Sequence, residues 1–164
     1  MKRLLSLSLI IILVFSCFSG CSSGDSKEET EGQTTASIEL TIENATKFLD
    51  IDVNYKYEGG YAVMSNVYYT GVSSTVNIEG YNGYTFNDVS IEICCSFSGE
   101  FVDDRGSVCI SMLDAEGSTK LESNGNGIIN ANGQFGGQLS GGCRNMKYLS
   151  YEITDISGTV MEDN

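Results

Sequence analysis

Val89-Ser90-Ile91-Glu92-Ile93-Cys94-Cys95-Ser96-Phe97 is the stretch that decides the fold. Val89, Ile91, Ile93, Cys95 and Phe97 alternate with Ser90, Glu92, Cys94 and Ser96. This period of two places one set of side chains on each face of an extended strand. The apolar set faces a core and the polar set faces water. β-branched and aromatic residues dominate the inward set, as strands favour.

The same pattern recurs on both sides. Ile38, Leu40 and Ile42 alternate with Glu39, Thr41 and Glu43. Leu49, Ile51, Val53, Tyr55 and Tyr57 alternate with Asp50, Asp52, Asn54 and Lys56. Residues 44 to 48 between these two runs leave room only for a turn or one short helical turn. Gly59-Gly60 ends the second run, and Tyr61 to Tyr69 reads as one strand. Gly71 to Ser74 separates it from Val76 to Gly80, and Tyr81-Asn82-Gly83-Tyr84 supplies a tight turn, since Asn-Gly tolerates positive φ. Val108, Ile110 and Met112 follow the deciding strand as an inward set, with further strands expected near Gly127 to Ala131, Tyr148 to Ile153 and Ile156 to Met161. The span from Ser123 to Gly142 reads as loops around one irregular strand. No segment sustains a 3.6-residue period. Eight or nine short strands joined by turns predict an all-β chain, an antiparallel β-sandwich of immunoglobulin-like architecture, with a closed barrel as the alternative.

The first residues carry a different message. Lys2 and Arg3 precede an apolar run from Leu4 to Phe15, and small residues then lead to a cysteine, the layout of a secretory signal. The run is shorter than the roughly 20 residues that span a bilayer. Phe18-Ser19-Gly20-Cys21 resembles the lipobox of bacterial lipoproteins, which implies cleavage after Gly20 and a lipid anchor on Cys21; Cys17, after Val14-Phe15-Ser16, is the rival position. The resemblance implies a signal peptide over residues 1–20 and a protein held at the cell membrane facing away from the cytoplasm. Residues 21–35 are polar and acidic, without an apolar residue after Cys21, and read as a flexible tether. Residues 36–164 form the sandwich domain. The Thr41-Ile42-Glu43-Asn44 opening, Gly83-Tyr84-Thr85-Phe86-Asn87 and the closing Ile156-Ser157-Gly158-Thr159-Val160 are similar to the small β-rich domains of Gram-positive surface lipoproteins. That resemblance transfers no residue role.

Charge narrows the partners. The chain has 22 acidic residues against 9 basic, and loss of Lys2 and Arg3 with the signal leaves 7 basic. Nucleic acid is excluded as an expected partner, because phosphate binding draws on Lys and Arg. Electrostatic attraction to anionic lipid is equally unsuited, so membrane attachment rests on the acyl chains.

Four cysteines lie in the domain, and an exported chain with an even count can hold two disulfides. If the strands around Cys94 and Cys109 pair with facing residue numbers summing to 203, Ile91 faces Met112, Ile93 faces Ile110 and Cys95 faces Val108 on the core side. Cys94 then faces Cys109 outside, and Cys95 is left to join Cys143. The alternative is four buried thiols. No CxxC spacing and no histidine is present for zinc.

The absence of histidine removes the Ser-His-Asp triad, the Cys-His pair and imidazole acid/base chemistry. A two-carboxylate hydrolase survives, with Asp50 and Asp52, or Glu39 and Glu43, as the candidate pairs. Solvated strand faces account for them as well, and the expectation is a protein that is not an enzyme and carries no cofactor. Asp103, Asp104, Asp114 and Glu116 could collect calcium, although no EF-hand loop exists and a polar hairpin tip explains them too. Nine tyrosines with no tryptophan supply the remaining hint. Tyr55 and Tyr57 read as core, whereas Tyr68, Tyr69, Tyr81 and Tyr84 are the candidate ligand-binding residues, since tyrosine offers rigid area with a polar tip. The expected partner is an extracytoplasmic protein or a cell-wall glycan. Exposed tyrosines in a row flanked by Asn would favour glycan, and an apolar patch or open sheet edge would favour protein.

Overall fold

The computed structural model describes residues 36–102, 105–135 and 142–163. The expected signal, Cys21, the tether, and Asp103 and Asp104 lie outside the described residues. Thr34 onward forms one compact unit.

Among the described residues, nine strands make two packed sheets and one hairpin. The larger sheet has the order β1 (Ile38–Glu39), β9 (Arg144–Glu162), β6 (Tyr84–Val102) and β7 (Val108–Lys120). The smaller has β2 (Leu49–Glu58), β5 (Gly71–Gly80) and β8 (Gly127–Gln134), and β3 (Tyr61–Val63) pairs only with β4 (Asn66–Tyr68). Every pairing is antiparallel. The architecture is therefore an all-β sandwich and not a closed barrel.

The deciding stretch lies at the centre of β6. Val89, Ile91, Ile93, Cys95 and Phe97 are all buried, and they meet Val72, Val76 and Ile78 of β5 and Ile129 of β8 in one core. The short helical turn forms as a 3-10 helix at Ala45–Lys47. Its Ala45, with Phe48, Leu40 and Leu49, closes one end of that core.

Strand β7 departs from expectation in a way that matters. It runs on to Lys120, and its register on β6 sums to 210, with Ile93 opposite Gly117, Cys95 opposite Ala115 and Phe101 opposite Cys109. Leu113 and Ala115 are the inward residues; Val108, Ile110 and Met112 are exposed. The reason is parity. Asp114, Glu116 and Lys120 share a face with Ile110 and Met112, so turning the apolar three inward would bury the charged three.

The register also removes both disulfides. Cys94 faces Glu116, seven positions along β7 from Cys109, an offset of roughly 23 Å at strand rise. Cys143 lies beside Gly99, whose added Cβ would sit 2.9 Å from the Cys143 Cβ. Gly99 is four residues, roughly 13 Å, from Cys95 along β6. A disulfide accepts Cα separations up to about 7 Å. Cys94, Cys95, Cys109 and Cys143 are accordingly four free thiols.

Small residues pinch the β7/β8 side. A Cβ on Gly117 would meet Ile129 Cγ2 at 2.5 Å, and one on Gly133 would meet the Asp114 carbonyl oxygen at 2.9 Å. Aromatic rings hold the β2/β9 side apart: Tyr55 stacks on Tyr148 at 5.1 Å and both rings meet Phe97 edgewise at 5.5 Å.

Two poles follow from the topology. Ile38 pairs with Val160, which pairs with Phe86 near the start of β6, so the chain joins the domain at that pole. Val102 and Val108 mark the other end of β6, on the order of 50 Å away along the strand. The β3–β4 hairpin leaves the sandwich at this second pole: Tyr69, just after β4, bridges to Cys143, just before the Arg144 that pairs with Glu100.

Candidate interaction surface

The expected single strand from Tyr61 to Tyr69 folds back on itself at Met64-Ser65. Met64 takes φ of 54°, a left-handed conformation that hairpin turns ordinarily assign to glycine or asparagine. The turn aligns Tyr61 with Tyr68, Ala62 with Val67 and Val63 with Asn66. Tyr61 and Tyr68 stack at 5.7 Å, and the Gly142 amide donates to the Tyr61 hydroxyl at 2.7 Å, fixing the base of the hairpin. Beyond that base Val63 and Val67 are about half exposed and Met64 is 100% exposed. No residue from Gly59 to Gly71 carries a charge.

A second apolar group shares the pole. Val108, Ile110 and Met112 line the outer face of β7, Val102 lies opposite Val108, and Leu149 is exposed on β9. Ile110 is 79% exposed. Unlike the hairpin, this strip is edged by charge: Ile110 faces Glu100, which pairs with Arg144 at 3.5 Å, and Lys147 lies across from Ser98 beside Met112. Isolated exposed apolar residues are ordinary, but a contiguous set at one end of a domain marks an interaction surface.

The outer face of the smaller sheet differs in kind. Asn54, Thr75 and Asn130 stand in one row across it, and Lys56, Ser73 and Asn132 in the next. The Thr75 hydroxyl donates to Asn130 Oδ1 at 3.4 Å. Asn54, Tyr55, Lys56, Ser73 and Thr75 line a shallow depression of about 200 Å³.

The four candidate tyrosines do not form one site. Tyr68 and Tyr69 flank the hairpin, whereas Tyr81 and Tyr84 lie past the far end of β5, ten residues or roughly 30 Å away. Tyr69 is half-buried with its ring on Tyr57 at 5.1 Å, and Tyr84 meets Phe48 edgewise at 5.3 Å. Tyr81 is exposed and Tyr68 is taken up by Tyr61. Tyr57 packs against the core as expected and donates to the Met146 carbonyl at 3.1 Å, but Tyr55 is 44% exposed at the open side of the sandwich.

The candidate acids lie on open surface. Asp50 and Asp52 are exposed on β2 opposite Glu79 and Asn77, and Asn54 Nδ2 donates to Asp52 at 2.7 Å. Glu39 and Glu43 are exposed near the 3-10 turn, and hydrogen bonds from the Glu43 backbone amide and from Thr41 hold the Glu43 carboxyl below its ordinary range, the reverse of what a general acid needs. Asp114 and Glu116 face outward on β7, and no group of three or more acids and cysteines among the described residues could hold a metal ion. Burial raises the Cys94, Cys95 and Cys143 thiols, with Asp114 adding to the effect at Cys94. These thiols are protonated at neutral pH and poor nucleophiles. No protein-family model matches the chain, and neither a curated protein nor a solved structure matches it.

Proposed function

We propose that the chain is a non-catalytic, lipid-anchored extracytoplasmic interaction module that binds a protein through the apolar pole of its sandwich. The observation that carries this reading is the separation of the poles. The chain joins the domain at one end, while Val63, Met64, Val67, Val102, Val108 and Ile110 are exposed at the other. The apolar end is therefore the one remote from the strand at which the chain enters the domain.

Capture from an envelope extract tests this, using the chain from Ser22 onward beside a variant with Val63, Met64 and Val67 all changed to serine. A protein retained by the first and lost by the second is the expected result. Retention that is equal for both overturns the assignment of the pole.

The row of Asn54, Thr75 and Asn130 beside the depression on the smaller sheet supports a second reading, a glycan-binding face. Amides and hydroxyls match the hydrogen-bonding of sugars, although Tyr55, the aromatic residue lining that depression, has its ring engaged with Phe97 and Tyr148. Retention on wall polysaccharide that is unchanged by the serine variant, and lost when Asn54 and Asn130 become alanine, would put this reading first.

A further inference from the structure

We propose that the β3–β4 hairpin is a homotypic contact, in which the apolar pole of one domain seats against the same pole of a second copy. This inference rests on the reading of that pole as the binding surface and names its occupant. Three observations lead to it.

Charge selects the place. With 22 acidic residues against 9 basic in the whole chain, two copies repel one another over most approaches. The hairpin joins exposed apolar surface to a complete lack of charge from Gly59 to Gly71, so two copies can meet there without bringing carboxylates together. The β7 strip lacks that property, since Glu100, Asp114 and Glu116 border it.

Backbone geometry supplies the pairing. β3 has β4 as its only strand partner among the described residues, so its outer edge is open. In a hairpin closed by two residues, Val63 and Asn66 exchange hydrogen bonds, and so do Tyr61 and Tyr68; the Ala62 amide and carbonyl therefore point to the open edge. Two such edges can pair antiparallel about Ala62, with Tyr61 of each copy opposite Val63 of the other. That is an isologous contact, closed by a two-fold axis. The run Tyr61 to Tyr69 has no glycine, proline or charge and is rich in β-branched and aromatic residues, the composition that favours self-pairing of exposed strands.

Met64 is the third observation. Its left-handed φ and full exposure cost the domain without adding to its core. A side chain kept at a strained turn and packed on nothing gains its contacts from a partner.

Sedimentation equilibrium on the chain from Ser22 onward tests the proposal over a range of concentrations and salt. The expected result is a reversible dimer that strengthens with salt, since salt screens the repulsion and leaves the apolar contact. Met64→Asp should weaken it at least about tenfold, a loss of 1.4 kcal/mol, while Ile128→Asp, at an exposed position of β8 outside the apolar pole, leaves it unchanged, both variants melting as the parent does. Ala62→Cys should give a disulfide-linked dimer under mild oxidation, because facing residues in such a pair lie about 5.5 Å apart. A monomer at every concentration overturns the proposal. So does a dimer broken by Ile110→Asp and not by Met64→Asp, which would place the contact on β7. A chain that stays monomeric yet captures a foreign protein through Val63, Met64 and Val67 sinks the homotypic contact and leaves the function proposed above standing.

Discussion

The two poles of the sandwich solve the same problem with different residues. At the pole where the chain joins, the turns are tied down: the Glu122 amide donates to the Asn126 carbonyl, the Phe86 amide donates to the Ser123 carbonyl, and the Thr85 hydroxyl donates to Asp163 at 2.6 Å. Phe86, Leu49 and Leu40 are buried beneath them. At the other pole the hairpin is fixed only at its base, and Val63, Met64 and Val67 stand clear of the core. Turns need hydrogen-bond partners and a compatible φ, and exposed apolar side chains provide neither. The apolar residues of the hairpin are therefore surplus to folding, and this contrast separates a structural pole from the one proposed above as the interaction surface.

The largest expected effect strikes the structural pole. Gly125 has φ of 79°, and a Cβ there would sit 2.6 Å from the Phe86 ring and 2.7 Å from the Gly80 Cα. Gly125→Val adds a β-branched side chain to a left-handed residue and overpacks the end of the core. Together these should cost about 3 kcal/mol or more, a fall in Tm of roughly 10 °C by calorimetry. A loss below about 1 kcal/mol would mean that this pole is as loosely built as the hairpin.

Asn44→Ala follows. The Asn44 side chain accepts from the Thr41 amide at 2.8 Å and donates to the Glu39 carbonyl at 2.9 Å, tying the β1 exit to the 3-10 turn. Losing both bonds at an exposed site should cost about 1 kcal/mol in urea unfolding.

Part of the contrast was legible in the sequence. The alternation from Val89 to Phe97 identified the central strand and its buried face, and residues 44 to 48 left room only for the short turn that forms. Alternation does not say which of two faces is buried when a strand changes character along its length. Val108, Ile110 and Met112 read as core until the strand is followed to Lys120, where the same parity becomes charged, and the expected cysteine pairs moved with the register. The hairpin was hidden for another reason. Met64-Ser65 lacks the glycine or asparagine that announces a tight hairpin turn, because methionine occupies the position whose backbone takes a conformation that its side chain disfavours. Exposed apolar residues at that pole look in sequence like any other inward-facing set.

Alkaline pH probes the interior beneath the apolar pole. Burial raises Tyr57 and Tyr148 as well as Cys143 and Cys95. The native state holds these protons more tightly than the unfolded chain does. Their contribution to stability is complete below the unfolded thiol value, near 8.5, and is lost as pH rises through the higher native values. Urea midpoints should be level between about pH 7 and 8 and fall above that, and Cys95→Ala together with Cys143→Ala should flatten the fall near pH 9. A midpoint that rises with pH in this window would mean that water reaches the thiols and the base of the hairpin is as open as its tip.

The smallest effect on stability is the sharpest for the contrast. Met64→Gly keeps the turn and removes the strain of a side chain at φ of 54°, and with the Met64 side chain fully exposed there is no packing to lose. Stability should change by no more than about 0.5 kcal/mol, in the favourable direction where relief of the turn outweighs the added freedom of the unfolded chain. Turn chemistry alone would then prefer glycine, and self-association should nevertheless weaken, because the side chain that bridges two copies is gone. If Met64→Gly instead lowers the urea midpoint as much as Asn44→Ala, the methionine belongs to the packing of its own domain and the two poles are alike in construction.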